Sequence, residues 1–478
     1  QAGRLVQSHA YSTVELVARW VRKNALPVGL TAAFVVLLAV LGVVGVRRIV
    51  AERDRASHEA HTSKEARDFM VKLFEAADPH KSKGKVVTPR DLLDRGLQQI
   101  DALAKEPQVQ APLLGTLGEV YENIGVSAQA KPLLERSLKL YQDQDKADDP
   151  DAIYLLHALG DTALQMGHNQ EAEDYARRAI AAGTRVLGPE NRATLKSRNL
   201  LCSVLQRRGA FKEARAARIE LLEIQRRVLG PDDNDTLVSL SNLSSIHAAL
   251  HEDAEAEKID RQLLETRRRV LGNDDVVTMD SMCDLAADLR ELGRYAESTA
   301  LFKEALAGKT RVLGPDHPST LWTIYSLGTL AKKQGHFAEA EQLYRQNLEA
   351  RVRVLGPDHP DVMYQESNLA VVLGAEGKTA ELGALAAELI PHVLARLGPK
   401  EGTTGFVMYN LGCAFALAGD KARAVERLRA AMDNGLDPQI MLGIGKDTDL
   451  ASLRGDADFL ALEAEVKRRA GQGKAGTE

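Results

Sequence analysis

A glycine that recurs every 42 residues constrains this chain more than any other feature. It closes the tripeptide "VLG" or "RLG" at Gly188, Gly230, Gly272, Gly314, Gly356 and Gly398. A threonine follows six residues later at Thr194, Thr236, Thr278, Thr320 and Thr404, and the remaining copy has Val362. A leucine column keeps the same period at Leu117, Leu159, Leu201, Leu243, Leu285, Leu327, Leu369 and Leu411. A fixed period of this length predicts stacked copies of one supersecondary unit.

One repeat, read from Thr320, predicts two helices separated by breaks. The Thr320 hydroxyl is expected to cap the start of the first helix, and Leu327 lies on its apolar face. Gly335 allows a tight turn, and a second helix is expected from about Ala338 to about Val354. Gly356 suits a left-handed helix end, and the proline after it blocks further helix. The connector therefore ends one helix pair and starts the next.

The leucine column is followed by glycine in several repeats, and a second glycine column marks the turn between the helices. These columns resemble the tetratricopeptide repeat, and the long period with its "VLGPDHP" connector is similar to the kinesin light chain type. The resemblance covers residues 111–436 and implies an all-α, right-handed α-solenoid of about eight helix pairs. His251 replaces the turn glycine and Leu382 replaces a small alanine, so both repeats are expected to pack less regularly. Residues 437–478 lose the period and are expected to form a C-terminal cap and tail.

An apolar segment near the start predicts a single transmembrane helix over residues 25–46. Its 22 uncharged residues span about 33 Å as a helix, close to the thickness of a hydrocarbon core. There are two alternatives. One is a cleaved signal peptide, whose apolar region is normally shorter, and the other is a buried helix of a soluble domain. Basic residues flank both ends, so charge does not fix the orientation. Residues 1–24 are then a juxtamembrane segment, and residues 47–110 are a linker with N-terminal packing helices.

The stretch between the apolar segment and the repeats carries a second resemblance. Its motifs "EAADP" and "LLDRG" are similar to the linker of bacterial transmembrane serine/threonine kinases with C-terminal tetratricopeptide arrays. That resemblance implies a kinase domain before Gln1, in a single-pass protein of the bacterial inner membrane whose array lies outside the cytoplasm. The kinase glycine-rich loop, the HRD motif and the DFG motif are absent from these 478 residues.

Composition and motifs argue against several classes of function. Charged residues make up 27% of the chain but the net charge is only −5, which gives no basic surface for nucleic acid. Cys202, Cys283 and Cys413 are far apart, so we expect reduced, helix-packing thiols. His58 and His61 are three residues apart without a third ligand nearby, and are expected to be exposed rather than metal-binding. No nucleophile–base pattern predicts catalysis, and no cofactor is expected.

Protein or peptide binding is the function that the resemblance implies, because the first helices of such repeats line a concave groove. Its inward positions lie five, two and one residues before the leucine column. The candidates selected from those positions are Asn242, Trp322, Tyr325, Tyr364, Asn368, Phe406, Tyr409 and Asn410. Amides there can pair with a peptide backbone and aromatic rings can anchor side chains. The alternative is that the rings pack only against neighbouring first helices.

Two functional classes follow. The first is the sensory or regulatory part of a receptor-type kinase, which is expected to bind a ligand in the groove and to associate as a homodimer, although the sequence identifies no dimer interface. The second is a free-standing membrane-anchored assembly scaffold without a kinase. A motor adaptor, suggested by the kinesin light chain resemblance, is disfavoured because a sustained heptad region is lacking.

Overall fold

The computed structural model describes residues 89–399 and 401–475, together with Val14 and Trp20. Within these residues there are 19 α-helices and two short 3₁₀ turns. The first ten are α1 (Pro89–Asp101), α2 (Pro107–Asn123), α3 (Ser127–Asp143), α4 (Pro150–Gln165), α5 (Asn169–Val186), α6 (Arg192–Arg207), α7 (Phe211–Val228), α8 (Asn234–Ala249), α9 (Asp253–Val270) and α10 (Val276–Glu291). The others are α11 (Tyr295–Leu313), α12 (Pro318–Lys333), α13 (Phe337–Leu355), α14 (Pro360–Ala375), α15 (Thr379–Arg396), α16 (Gly402–Leu417), α17 (Lys421–Asp433), α18 (Pro438–Leu442) and α19 (Ala457–Ala475).

The prediction of a membrane-spanning helix is corrected. In the part of the chain that the structure describes, no helix combines the length and the apolar character needed to cross a bilayer. Most of the described helices bury one face against their neighbours and carry charged or polar residues on the other; α16, which has no charged residue, is only 16 residues long. The fold class with a transmembrane helix and the single-pass inner-membrane localisation were therefore wrong. The predicted span, residues 25–46, and His58 and His61 lie outside the described residues.

The chain divides into two compact units, residues 1–204 and residues 205–478. In the first unit, α2 packs against α3 and α4 packs against α5, and the side chains of α2 to α4 share one apolar core. In the second unit, each first helix among α8, α10, α12, α14 and α16 packs against the second helix that follows it. Each unit is therefore a stack of helix pairs, as the repeat predicts.

The leucine–glycine pair in the first helix permits close packing of its partner. Gly328 lies against the ring of Tyr344 in α13, and a Cβ built at Gly328 would come within 2.5 Å of Tyr344 Cε1. Tyr344 itself is buried. A side chain at position 328 would therefore displace the ring, which explains the small residue after Leu327.

The connector corrects the predicted role of Thr320. His317, with extended backbone angles, is the N-cap of α12, and its Nδ1 accepts a hydrogen bond from the Ser319 N–H at 3.2 Å. Thr320 already lies inside the helix, where a hydroxyl cannot act as an N-cap. Its Oγ1 instead donates to the Gly314 carbonyl at 2.9 Å. The same bond joins threonine and glycine at Thr194–Gly188, Thr236–Gly230 and Thr404–Gly398.

Gly356 has φ 81° and ψ 159°, so it does not adopt the left-handed helical conformation that the sequence predicted. This extended conformation with positive φ is essentially restricted to glycine. In the four connectors that have the threonine bond, the spacing of glycine and threonine reflects a hydrogen bond that closes the connector around this unusual backbone conformation; Val362 has no hydroxyl, and Thr278 Oγ1 has no partner among the described residues.

Four connectors also carry an aspartate that reaches the second helix of the next repeat. Arg269 Nη2 lies 2.6 Å from Asp232 Oδ1, and Arg353 pairs in the same way with Asp316. The pairs are exposed, so water and salt screen them strongly and they contribute little to stability. Their regular spacing indicates that they favour the correct register of neighbouring repeats.

His251 is expected to be a destabilising residue at its turn. It has φ +58° where the other described turns of this column have glycine, and an L side chain is disfavoured there. We expect His251→Gly to raise the free energy of unfolding by about 0.5–1 kcal/mol, because the released strain exceeds the extra chain entropy. Urea unfolding measures the change. Gly335→Ala, at φ +78° in open space, is the matched control and should destabilise by a similar amount; a loss of stability in His251→Gly would contradict the argument.

Candidate functional site

The first helices α12, α14 and α16 carry the predicted aromatic residues. We call Trp322, Tyr325, Tyr364, Phe406 and Tyr409 the aromatic face. α14 and α16 approach each other very closely, because Gly374 leaves room for the backbone of Ala414. This contact sets the spacing of the rings on these two helices.

Two of the rings are open to solvent. Trp322 is 42% exposed and Phe406 is 36% exposed. The Phe406 ring meets the ring of Tyr364 edge-on, with 6.1 Å between centroids. Such edge-to-face pairs hold both rings in a defined orientation. Phe406 therefore presents a fixed apolar surface rather than a mobile side chain.

Tyr325 and Tyr364 are half-buried. Tyr325 stacks on Tyr344 of its own repeat, with 5.7 Å between the ring centroids. Burial raises the pKa of Tyr364 to about 12, and the neighbouring Tyr325 adds to the rise. These two rings have partners within the protein and expose only part of their surface.

The predicted amides form a short ladder between α14 and α16. Asn410 Nδ2 donates to Ser367 Oγ at 3.0 Å and to Asn368 Oδ1 at 3.3 Å. Asn368 Nδ2 donates to the Tyr364 carbonyl at 3.0 Å. The donors of both amides are thus engaged inside the protein, and their visible role is to fix the two helices.

Tyr409 contacts the segment that follows the last repeat. Its hydroxyl donates to Asp447 Oδ2 at 2.5 Å, and burial is the first cause that raises the pKa of Tyr409 above its ordinary value. Two residues further, Asp449 Oδ2 accepts from Lys332 Nζ of α12 at 3.1 Å. The segment from Asp447 to Asp449 therefore links α16 to α12 at one border of the aromatic face.

Asn242 lies apart from the other seven candidates. It is half-buried on α8, two repeats before Trp322. Among the hydrogen bonds and ring contacts of the described residues, none connects it to the aromatic face. The structure therefore brings together seven of the eight predicted residues.

Sequence reasoning missed charged residues in the intervening repeat. Lys309 of α11 is fully buried, and its Nζ lies 2.7 Å from Asp280 Oδ1 and 5.9 Å from the centroid of Trp322. Asp284 occupies the register of Asn368 and Asn410, and burial raises the pKa of Asp284 to about 7. Reading the groove positions in every repeat, rather than only where aromatic residues occur, would have found Asp280 and Asp284.

Comparison with known proteins agrees with this architecture. A family model described as "Tetratricopeptide repeat" matches residues 109–185, 191–269, 239–311 and 275–351. No curated protein sequence gives a significant match.

Among solved structures, the apo form of the quorum sensor NprR from B. thuringiensis is 11% identical, with a TM-score of 0.52, and the match covers 77% of this chain and 98% of that one. A putative kinesin light chain with nearly identical TPR-like repeats from Podosopora anserina is 22% identical, with a TM-score of 0.39, over 43% of this chain and 97% of that one. The match to a Rap protein complexed with competence and sporulation factor has 11% identity and a TM-score of 0.39, over 68% of this chain and 86% of that one. Residues 109–185 and 191–351 are therefore tetratricopeptide repeats, and the described fold is an all-α solenoid of that type.

Proposed function

We propose that the aromatic face binds an extended segment of another protein, so that the chain acts as a binding scaffold. The observation that carries the proposal is the exposure of Trp322 on α12 and of Phe406 on α16, the second of which is held against α14 by backbone packing. Large exposed aromatic rings on a rigid surface are typical of binding hot spots, since little conformational entropy is lost on contact. Tyr364, which holds Phe406 in place, extends the same surface.

The two alternatives for the aromatic rings are ligand contact in a groove and packing within the protein, and different rings support different alternatives. Tyr325 and Tyr409 are held by Tyr344 and Asp447, which supports a mainly structural role for both. Trp322 and Phe406 keep more than a third of their surface open, which supports ligand contact. The expected kinase association and a homodimer stay predictions, as does the alternative of a scaffold without a kinase.

Truncating the two exposed rings tests the proposal. A library of random dodecapeptides displayed on phage is selected against the full chain, and the most enriched peptide is synthesised as the probe. Trp322→Ala and Phe406→Ala are each expected to weaken its binding by about 30-fold or more, the size of a hot-spot loss of about 2 kcal/mol. Fluorescence anisotropy measures the affinity, and thermal unfolding should change little.

Val354→Ala is the matched control, because Val354 is 47% exposed but lies on a second helix. It should leave the affinity unchanged. If no peptide is enriched, or if Val354→Ala costs as much as Trp322→Ala, the aromatic face is not the binding surface.

A further inference from the structure

Three carboxyl groups converge beside the aromatic face, and we call Asp260, Asp284 and Asp288 the acidic recess. Asp260 lies on α9, and the other two lie on α10. Asp260 is 4% exposed and Asp288 is 7% exposed. Asp260 and Asp288 lie within hydrogen-bond reach of each other, and no N–H or hydroxyl group of the described residues donates to Asp260 Oδ1 or Asp288 Oδ2. Two buried carboxyl groups in contact must share a proton or gain a cation, so this recess requires an explanation.

The cations nearby are already engaged. Arg267 Nη1 donates to Ser281 Oγ at 2.5 Å, and Lys309 Nζ pairs with Asp280. Arg267 is 5% exposed and Lys309 is fully buried, so neither can move far. With Asp280 included, four carboxyl groups face two cations. The recess therefore keeps an excess of negative charge or holds protons.

The raised pKa values of the acidic recess agree with this excess of carboxyl groups over cations. Burial, followed by the charge of Asp260, raises the pKa of Asp288 to about 8. Burial also raises the pKa of Asp260 to about 6 and that of Asp284 to about 7. Near neutral pH the group therefore retains protons that an incoming cation can displace.

The recess opens toward the aromatic face at Asp284. Asp284 is partly exposed and has the same register on its first helix as Asn368 and Asn410. Lys309 bridges the two regions, since its ammonium group lies between Asp280 and the ring of Trp322. The charge of Lys309 also acts on Asp284, where it lowers the pKa against the larger effect of burial, so a ligand that covers Trp322 lies near Asp284, with Lys309 between them.

We propose that the acidic recess receives a lysine or arginine side chain of the same protein segment that covers Trp322. The ligand class is therefore a basic peptide in which a cationic residue neighbours an apolar one. This assignment rests on the proposed function of the aromatic face. The cation pairs with the Asp284 carboxylate and neutralises the field of Asp260 and Asp288 behind it.

Proton linkage gives the proposal a second signature. A bound cation favours the ionised form of Asp284, so a proton leaves for solvent on binding. Affinity for a basic peptide therefore falls as the pH drops below about 7 and levels off at higher pH, where Asp284 is already ionised. The charged groups that face Asp284 are Asp260 and Arg267 from α9, Lys309 from α11, and Asp280 and Asp288 from its own helix.

The probe that tests the recess is the enriched dodecapeptide together with an analogue in which glutamine replaces each lysine and arginine. We expect enriched peptides to carry a basic residue beside an apolar one, and Asp284→Asn to weaken binding of the basic peptide by about tenfold or more, as for a hydrogen bond to a charged group. Asp284→Asn should not change binding of the glutamine analogue. The wild-type chain should bind the analogue about tenfold less tightly, which tests the recess without altering the protein.

Glu122→Gln is the matched control. Burial raises the pKa of Glu122 to about 8, but it lies on α2, in the other unit. Equal losses in Glu122→Gln and Asp284→Asn would show general charge attraction and overturn the proposal. Peptides that depend on Trp322 but carry no basic residue would also overturn it and leave the proposed function standing, whereas peptides that ignore Trp322→Ala would overturn the proposed function itself.

Discussion

Replacing Gly374 by valine is expected to destabilise the second unit by about 3 kcal/mol. A Cβ at this position would lie 2.2 Å from the Ala414 carbonyl oxygen and 3.0 Å from the Ala414 Cα. These are backbone atoms, so they cannot rotate away as a flexible side chain would. Overpacking commonly costs about 1–3 kcal/mol, and the branched valine at a backbone contact belongs at the upper end. Urea unfolding of the full chain measures the loss.

Gly383→Ala is the matched control for this prediction. Gly383 also lies in a helix, but the nearest atom to its added Cβ is Arg423 Nη1 at 3.8 Å. Alanine should stabilise this helix by up to about 1 kcal/mol, because it lowers the entropy cost of helix formation. Similar destabilisation in both variants would show that the contact between α14 and α16 is not the cause.

The Gly374 contact also connects stability to the candidate site. If α16 moves away from α14, the distance between the Tyr364 and Phe406 rings increases, and the hydrogen bonds from Asn410 lengthen at the same time. Gly374→Val is therefore expected to weaken binding of the dodecapeptide, even under conditions in which the chain remains helical. Circular dichroism and anisotropy on the same sample separate the two effects.

The repeat made the helix pairs predictable because their signals are local. The second helix was expected at about Ala338 to about Val354 and is found at Phe337–Leu355, since glycine and proline interrupt the chain whatever surrounds it. The role of Thr320 was not predictable in the same way. A threonine near a helix start has two hydrogen-bonding choices, and the extended backbone at His317 decides between them.

The candidate site was predictable only in part. The repeat register predicts which face of a helix a side chain lies on, but it does not predict which residues that side chain contacts. The groove columns selected Trp322 and Phe406, which are exposed. They did not reveal that Tyr409 bonds to Asp447, a contact between residues 38 positions apart that depends on how the chain folds back after the last repeat. Whether this surface binds a ligand stays a proposal.

The buried lysine shows a different limit of sequence reasoning. A lysine on a second helix is normally an exposed residue, so the burial of Lys309 was not predicted. The same column contains Arg267 and Arg351, at the same 42-residue spacing, and both are largely buried. A cation that recurs at one repeat position is a signal for buried ion pairs, but their partners become visible only when the helices are stacked.

Replacing Phe459 by alanine is expected to cost about 3–5 kcal/mol, the usual range for a buried phenylalanine. Phe459 in α19 is 1% exposed and belongs to the core that contains Leu411 and Phe415 of α16. An array of repeats needs a terminal element to cover its last apolar face, and α19 packs against α17. The neighbouring Leu460 is 50% exposed, so Leu460→Ala should change stability by less than about 0.5 kcal/mol.

Hydrogen exchange distinguishes loss of the terminal cover from a general loss of stability. Because repeats are stabilised mainly by their neighbours, Phe459→Ala should remove protection first from amides of α16 and α17, and least from those of the first unit. The segment from Asp447 to Asp449 should lose protection with them, because Leu450 and Leu453 that anchor it are fully buried in the same core. Equal acceleration of exchange in α2 and α16 would contradict a local covering role, and would mean that the whole array unfolds as one cooperative unit.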